Sequence, residues 1–352
     1  MTAVVPSIHV FKRNNRVNTR PGMAGKVAII GAFDTTETNP TLFNSLDELQ
    51  TSFGDDSTFN GCDCAKWLFK GGASSLLCVN ITTWSSATPP VATKTVTSSN
   101  LADALAKIKG EDWDILFVAD NLTDAFIVLI DSYLDATFEM KCPAGFTVGL
   151  TGANSSDNIT SAGKCGDHCY SAIVQGFKIN ETTLTVLQSI AYYTGLIAGM
   201  NVGNTMTMKT VTGVTGLNNE LTFETGSTGK AYVEAGISTF KCADRNNDRY
   251  ICVNSEQPNG YDLYVNRVRD FIIKEMSLAE YLGERNRKLT LDEIEHMLSS
   301  IKERCVTDLD LLEDIQYHVE KKNATCVDVV LDSLTFAGLI TRIDVYYTIE
   351  VI

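Results

Sequence analysis

The sequence predicts an α/β protein, and three continuous apolar runs carry that prediction. The runs are residues 26–33 (KVAIIGAF), 75–81 (SLLCVNI) and 114–119 (DILFVA), and strands buried on both faces of a sheet have this character. Segments of helical periodicity lie between them, an alternation that favours a partly parallel sheet covered by helices. We therefore expect an open α/β domain over residues 21–200.

The helices of this domain are predicted from caps and from the spacing of apolar residues. Ser45, with Glu48 three positions later, is typical of a capping box that opens a short helix ending near Gly54. Further helices are predicted at residues 62–69, 101–108, 125–134 and 184–200, and a fourth strand at residues 146–150. The polar residues 82–100 and 151–165 are predicted to form loops.

The composition changes near Asn201, which predicts a second, α+β domain over residues 201–341. Short alternating runs at residues 205–214, 230–236, 238–241 and 250–253 indicate an antiparallel region. A helix is predicted over residues 262–281, and another begins with Thr290 as its N-cap and Glu293 completing a capping box. An acidic segment, residues 308–313, then precedes a strand at residues 326–331.

Both ends of the chain are predicted to be extended arms, residues 1–20 and 342–352. In the C-terminal arm the apolar side chains of a strand alternate with polar ones; they are Ile343, Val345, Tyr347, Ile349 and Val351. The N-terminal arm has a similar apolar set, Val4, Val5, Ile8 and Val10. Such strands either pair within one subunit or add to the sheet of another chain, and the sequence leaves both arrangements open.

Composition argues against some classes of partner. The chain has 29 Lys and Arg residues against 43 Asp and Glu residues, a net charge of −14, so its overall field disfavours nucleic acid and anionic membranes. No stretch approaches the ~18 apolar residues that span a bilayer, and residues 1–20 lack the layout of a signal peptide. We expect a protein that folds in the cytoplasm.

No catalytic, cofactor or metal site is predicted. Ten cysteines are spread along the chain, and without a secretion signal they are expected to be reduced. The pair Cys62 and Cys64 and the group Cys165, His168 and Cys169 lack the second ligand pair of a structural zinc site. The sequence also contains no HExxH motif and no GxSxG motif.

Three loop-like motifs are better explained as turns. Residues 22–26 and 226–230 lack the full spacing of a phosphate-binding loop. Residues 244–248 begin like a calcium loop, but Arg249 stands at the glycine position and Ser255 at the position of the bidentate glutamate.

Several segments, in this order, resemble the tail sheath proteins of contractile phage tails and R-type bacteriocins. They are residues 28–32 (AIIGA), 46–54 (LDELQTSFG), the predicted helix 62–69 leading into residues 71–79, residues 193–199 (YTGLIAG), 264–270 (YVNRVRD), 280–286 (EYLGERN) and 343–351. The likeness covers nearly the whole chain and depends on the order of elements more than on a diagnostic motif.

This resemblance implies a structural subunit and not an enzyme. Sheath subunits form stacked rings around an inner tube, with the α/β domain outward, the α+β domain toward the tube, and terminal arms that add strands to neighbouring subunits. The implied partners are other copies of the chain, the inner tube protein, and baseplate and tail terminator proteins. The sheath would contract to drive the tube through a target cell envelope, after assembly in the bacterial host cytoplasm.

Basic residues around the helix that begins at Thr290 are the predicted tube contact. They are Arg287, Lys288, Lys302 and Arg304, and the resemblance implies that a helix of this domain faces the tube. An acidic tube surface would complement them. The alternative is a solvated helix end whose cations complement the helix dipole.

The sequence leaves two alternative functions open. An α/β enzyme or small-ligand binder would use the carboxyl ends of the strands at residues 26–33, 75–81 and 114–119. A tail-tube or baseplate protein is disfavoured, because tube subunits are usually smaller and mostly β.

Overall fold

A computed structural model describes residues 25–87, 90–139, 144–244, 249–275, 288–321 and 327–336. The chain forms two compact units, Met1–Ala279 and Glu280–Ile352. Both predicted terminal arms lie outside the described residues.

Helices and strands alternate through the first unit. The described helices are α1 (Leu46–Phe53), α2 (Asn60–Gly71), α3 (Ser98–Lys107), α4 (Asp124–Glu139), α5 (Ser155–Ala162), α6 (Val186–Gly199), α7 (Thr228–Glu234) and α8 (Leu263–Glu275), followed in the second unit by α9 (Lys288–Glu303). A short 3₁₀ turn, Gly166–His168, follows α5, and a π-helical turn, Arg304–Asp308, follows α9.

The strands are mostly short. They are β1 (Lys26–Gly31), β2 (Thr41–Phe43), β3 (Ser75–Asn80), β4 (Thr83–Trp84), β5 (Ala92–Thr93), β6 (Ile115–Val118), β7 (Gly145–Gly149), β8 (Cys169–Ile173), β9 (Phe177–Ile179), β10 (Thr182–Thr183), β11 (Gly216–Leu217), β12 (Thr239–Asp244) and β13 (Arg249–Asn254), with β14 (Asp314–Lys321) and β15 (Val327–Thr335) in the second unit.

A six-stranded sheet forms the centre of the first unit, in the order β2-β3-β1-β6-β7-β8. All neighbouring strands are parallel except β2, which pairs antiparallel with β3 at one edge. Strands β3 and β6 are buried along their whole length, and β1 is buried after its first residue. The predicted α/β fold with a partly parallel sheet is confirmed.

One hydrophobic core extends across the predicted domain boundary at residue 200. The ring of Phe240 in β12 lies edge-on against Phe177 and Tyr193, with centroid distances of 4.9 and 5.1 Å. The backbone N–H of Ser238 also donates to the Ala172 carbonyl oxygen at 2.9 Å. The change of composition near Asn201 therefore marks a change of secondary structure within the first compact unit. The outward-facing and tube-facing domains remain predictions.

Several local predictions are wrong for identifiable reasons. Residues 151–165 contain α5, which Asn154 caps by accepting from the Asp157 N–H at 3.0 Å, in place of the predicted loop. Residues 230–236 lie largely in α7 and not in an alternating strand, because Ser227 caps the helix and Tyr232 is buried along it. The predicted loop at residues 82–100 contains the β4–β5 hairpin.

The second unit consists, in the described residues, of α9 packed against the antiparallel hairpin β14–β15. Ile294 and Leu298 of α9 are buried, as is Ile315 of β14. The helix begins at Lys288, so the prediction of Thr290 as its N-cap is wrong. Among the described residues, no helix combines the length and apolar character that a membrane span requires.

Candidate assembly site

The carboxyl edge of the parallel sheet would hold the ligand of an α/β enzyme. The strand order reverses between β1 and β6, and the first turn of α2 lies at that point. The Gly61 N–H donates to the Ala32 carbonyl oxygen at 2.8 Å. A Cβ at Gly31 would lie 2.8 Å from the Ala119 Cβ and 3.0 Å from the Gly61 Cα. The close packing of Gly31, Gly61 and Ala119 therefore leaves little room for a ligand in this crevice.

The polar side chains that follow the strands are used to hold loops. Asn80 accepts from the Phe33 N–H at 3.0 Å and donates to the Thr35 carbonyl oxygen at 2.8 Å. Thr82 donates to the Phe33 carbonyl oxygen at 2.8 Å. Trp84, on the β4–β5 hairpin, donates its indole N–H to Thr35 at 3.1 Å. These bonds satisfy the local backbone, and they leave no converging set of reactive groups among the described residues of this edge.

Several of the described cysteines are buried thiols in apolar surroundings. Burial raises the pKa of Cys62 to about 11 and that of Cys252 to about 12. Burial also raises the pKa values of Cys64 and Cys169 well above their ordinary value. A thiol nucleophile or ligand reacts as the thiolate, so these positions are unsuited to either role. Within the described part of the chain, no group of three His, Cys, Asp or Glu residues could hold a metal ion.

The motif around His168 has an explanation in packing. His168 is buried, and its Nε2 lies 3.0 Å from Oδ1 of Asp135 on α4. The ring also lies 5.5 Å from the ring of Phe138. The motif at residues 226–230 forms the start of α7, where the Lys230 N–H donates to the Ser227 hydroxyl at 3.4 Å.

Some of the predicted assembly residues lie outside the described residues. This holds for both strand arms, Val4, Val5, Ile8, Val10, Ile343, Val345, Tyr347, Ile349 and Val351, and for Arg287. Lys288 is the first residue of α9, and Arg304 begins the π-helical turn. Lys302 pairs with Asp314 of β14 at 2.6 Å, which lowers the pKa of Asp314.

The charge around α9 is mixed and not uniformly basic. Besides Lys288 and Lys302, the helix contains the acidic residues Asp292, Glu293, Glu295 and Glu303. Because Lys302 already has a carboxylate partner, its charge toward a tube is partly offset. The tube contact stays a prediction, and any such surface would combine both signs of charge.

A groove of about 700 Å³ runs along β14 in the second unit. Five consecutive residues of the strand, 315–319, line it, together with Glu295, Ser299 and Lys302 of α9 and Asp332 of β15. Successive strand residues point to opposite faces, so a groove lined by all five follows an edge of the strand. Among the described residues β14 pairs only with β15. The opposite edge of β14 is therefore open in this part of the chain.

Fixed side chains border this groove. The Tyr317 hydroxyl donates to the Glu295 carbonyl oxygen at 3.4 Å, which holds β14 against α9. On the other face of the strand, Nδ1 of His318 lies 2.8 Å from Oδ2 of Asp332. Strand β14 was not predicted from the sequence, although Ile315, Tyr317 and Val319 alternate with polar residues as in a strand.

Comparison with solved structures identifies the fold. A sheath tail protein from Desulfitobacterium hafniense superposes with a TM-score of 0.64 and 11% identity over 90% of this chain and 98% of that one. The helical sheath of the anti-feeding prophage in its contracted state gives a TM-score of 0.67 and 13% identity, over 98% of this chain and 99% of that one. The chain has the fold of sheath tail proteins.

The sheath fold extends over nearly the whole chain. A chain of the anti-feeding prophage baseplate matches with a TM-score of 0.67 and 12% identity, over 99% of this chain and 100% of that one. No protein-family model and no curated protein sequence matches the chain. The resemblance predicted from the order of elements is thus confirmed at the level of the fold.

Proposed function

We propose that this chain is a structural subunit of a contractile tail sheath, which polymerises around an inner tube and contracts to drive the tube through a target cell envelope. The observation that carries the proposal is the end-to-end similarity to a subunit of a contracted helical sheath. The closely packed crevice at the carboxyl edge of the sheet favours this function over that of an enzyme or small-ligand binder. The proposal includes no catalytic activity and no cofactor.

The partners follow from that role. Other copies of the chain form the helical lattice, and the baseplate is the second partner, in line with the similarity to a baseplate chain. The inner tube and a tail terminator protein complete the set. The chain would be assembled in the bacterial host cytoplasm and then belong to a virion tail or a released bacteriocin-like particle.

The open edge of β14 supports strand exchange between subunits. A strand that enters the groove would gain backbone hydrogen bonds from β14 and contacts with α9. The proposed occupant is the terminal strand, residues 343–351, of a second copy. Its apolar face, Ile343, Val345, Tyr347, Ile349 and Val351, would lie with Ile315, Tyr317 and Val319 on the α9 side. The N-terminal residues Val4, Val5, Ile8 and Val10 are proposed to add a strand in the same way.

The polar side chains support the same alignment of the terminal strand. Its polar face carries Asp344 and Glu350, which would lie on the face of β14 that presents Gln316 and His318. Polar side chains and solvent surround the carboxylates on that face, whereas a shift by one residue would place them against α9. The alternation therefore fixes which face of the added strand lies toward α9.

Electron microscopy of the purified full-length chain tests the proposal. Sheath-like tubes or long polymers are the expected result, and their assembly should need no nucleotide. A discrete monomer or dimer at all concentrations would contradict the sheath function and return the α/β ligand binder as the better hypothesis.

A further inference from the structure

Three phenylalanines organise one edge of the first unit. Phe53, at the end of α1, lies edge-on between Phe33 and Phe43, with centroid distances of 5.1 and 4.9 Å. All three rings are buried. Asp34 and Leu42, which adjoin Phe33 and Phe43, and Asp55, two positions after Phe53, are exposed around this packed centre.

This surface is open in the described part of the chain. Within the described ranges, β2 is an edge strand that pairs only with β3, and Leu42 on β2 is 47% exposed. Gly54 packs directly against Asp34, since a Cβ at residue 54 would lie 2.7 Å from the Asp34 Cβ. We call the surface formed by the free edge of β2 with Asp34, Leu42, Asp55 and Asp56 the β2 face.

The end of α1 and the residue after β1 bring the carboxylates of the β2 face to one region, because Gly54 packs against Asp34. Burial raises the pKa of the nearby Cys62 thiol, and the charges of Asp34, Asp56 and Asp55 raise it further. Asp56 accepts from the Thr58 N–H at 2.8 Å. Asp34 and Asp55 are exposed, and neither side chain has a hydrogen-bond or ion-pair partner among the described residues. Two neighbouring carboxylates without a cation repel each other, and a cationic partner would relieve that repulsion.

Acidic and basic residues are separated along the sequence, with the acidic stretch containing the β2 face and the basic stretch preceding it. Residues 34–65 contain no Lys or Arg and carry the acidic residues Asp34, Glu37, Asp47, Glu48, Asp55, Asp56 and Asp63. Residues 1–33 contain no Asp or Glu and carry the basic residues Lys12, Arg13, Arg16, Arg20 and Lys26. The most basic part of that segment, residues 12–20, directly follows the apolar residues of the N-terminal arm.

We propose that residues 12–20 of a neighbouring copy dock on the β2 face of this chain. The proposal rests on the proposed function, in which the N-terminal arm reaches another subunit, and it names the surface that receives the base of that arm. Arginines bind carboxylates through paired N–H donors, and the free edge of β2 offers backbone hydrogen-bonding groups to the same segment.

Charge reversal on each side tests the docking. The arm variant carries Arg13→Glu and Arg16→Glu, and the face variant carries Asp34→Lys and Asp55→Lys. A control with Glu181→Lys and Glu224→Lys makes the same change of charge as the face variant at exposed positions elsewhere. Thermal unfolding monitored by circular dichroism checks that all variants remain folded. Polymerisation is followed by sedimentation and electron microscopy.

Each variant alone should need a protein concentration about tenfold higher to polymerise, equivalent to about 1.4 kcal/mol, while the control behaves like the native chain. An equal mixture of arm and face variants should polymerise normally, because reversed arms meet reversed faces and native arms meet native faces. If instead only a single chain with all four substitutions recovers, the segment docks within its own subunit.

Other results would also overturn the proposal. Variants that polymerise like the control would show that these charges do not contribute, and a mixture and a four-substitution chain that both fail would exclude pairing between the two sites. Native chains that never polymerise would contradict the proposed function itself, which separates its failure from that of the docking site.

Discussion

At the scale of single residues, the buried thiols make the first unit sensitive to alkali. The pKa of Cys62 is raised from 9.0 to about 11 and that of Cys252 to about 12, mainly by burial. Burial also raises the pKa values of Tyr170 and Tyr193. In every case the folded chain holds the proton more tightly than the unfolded chain.

These raised pKa values make the folded chain less stable at high pH. The stabilisation from these groups is complete below pH 9, the ordinary cysteine pKa, and it is lost as the pH rises toward 11 and beyond. We expect the free energy of unfolding, measured with urea, to be similar at about pH 7 and pH 8 and to fall steadily above pH 9. A constant free energy up to about pH 11 would show that the thiols ionise without cost in the folded state.

The same thiols should react slowly. Iodoacetamide at about pH 8 is expected to alkylate the half-buried Cys242 before the buried Cys64, Cys78 and Cys252, because the thiolate is the reactive form. Mass spectrometry of peptides from the briefly treated folded chain measures the order. Equal labelling of Cys64 and Cys242 would contradict the packing described for α2.

Charges at the end of α9 test the predicted tube contact. Replacing Lys302 and Arg304 by Glu should weaken association with the inner tube at low salt. Because Lys302 pairs with Asp314 at 2.6 Å, the variant Asp314→Asn is the matched control: it keeps the cation and removes its partner, so it should bind the tube at least as well as the native chain. Co-sedimentation with the tube protein is the measurement, and equal binding by all three chains would exclude this contact.

At the scale of elements, helices α2 and α6 cross at a contact between glycines. A Cβ at Gly195 would lie 2.9 Å from the Gly71 Cα and closer still to the Leu68 carbonyl oxygen. These are backbone atoms, which cannot move aside as a flexible side chain would. The small residues at the end of α6 thus allow the two helix axes to approach closely.

Gly195→Ala should therefore destabilise the first unit by about 1–3 kcal/mol, the usual cost of overpacking a core. Gly163→Ala is the control, since Gly163 has φ −63° and ordinary clearance of 3.4 Å to the Thr160 carbonyl oxygen. Thermal unfolding compares the two variants. If Gly195→Ala unfolds at the same temperature as Gly163→Ala, the helices are not held at this distance.

The terminal strand is the element on which assembly is proposed to depend. Deletion of residues 346–352 should leave a folded chain that no longer polymerises, because β14 of the neighbour loses the strand that fills its groove. Analytical ultracentrifugation and circular dichroism distinguish the outcomes. Normal polymers would refute strand exchange, and an unfolded product would indicate that the strand completes its own subunit.

Elements with strong local signals could be predicted from the sequence. The buried strands β1, β3 and β6 appear as continuous apolar runs, and the Ser45 cap of α1 accepts from the Glu48 N–H as expected. Helix α5 could not be predicted in this way, because Ile159 is nearly its only large apolar residue and gives no periodicity. For α7, a short alternating run resembled a strand, but tertiary burial of Tyr232 selected a helix.

The candidate site was less predictable than the fold. The terminal strand stays a prediction from its alternation. Its proposed acceptor groove combines α9 with β14, and this groove exists only once the hairpin packs against the helix. The pair Lys302–Asp314 likewise joins residues from two elements. The sequence therefore indicated a free charge at Lys302 that the folded chain partly offsets.

At the scale of the whole molecule, the two compact units suit a lattice that moves by rigid-body rotation. The first unit has one continuous, well-filled core, and such cores resist gradual deformation. A sheath of this kind would need no nucleotide if the extended lattice is a kinetically trapped state. Contraction should then leave residues 26–150 nearly unchanged, with movement confined to the linkers beside the arms. A requirement for nucleotide would contradict this.

Strand exchange within a helical lattice can be observed in an electron cryo-microscopy map of the assembled polymer, at a resolution that allows the chain to be traced. We expect residues 343–351 of one copy to lie along β14 of another, with residues 26–150 superposing on the fold described above. A terminal strand that pairs within its own subunit, or a particle with no helical lattice, would contradict the proposed sheath assembly.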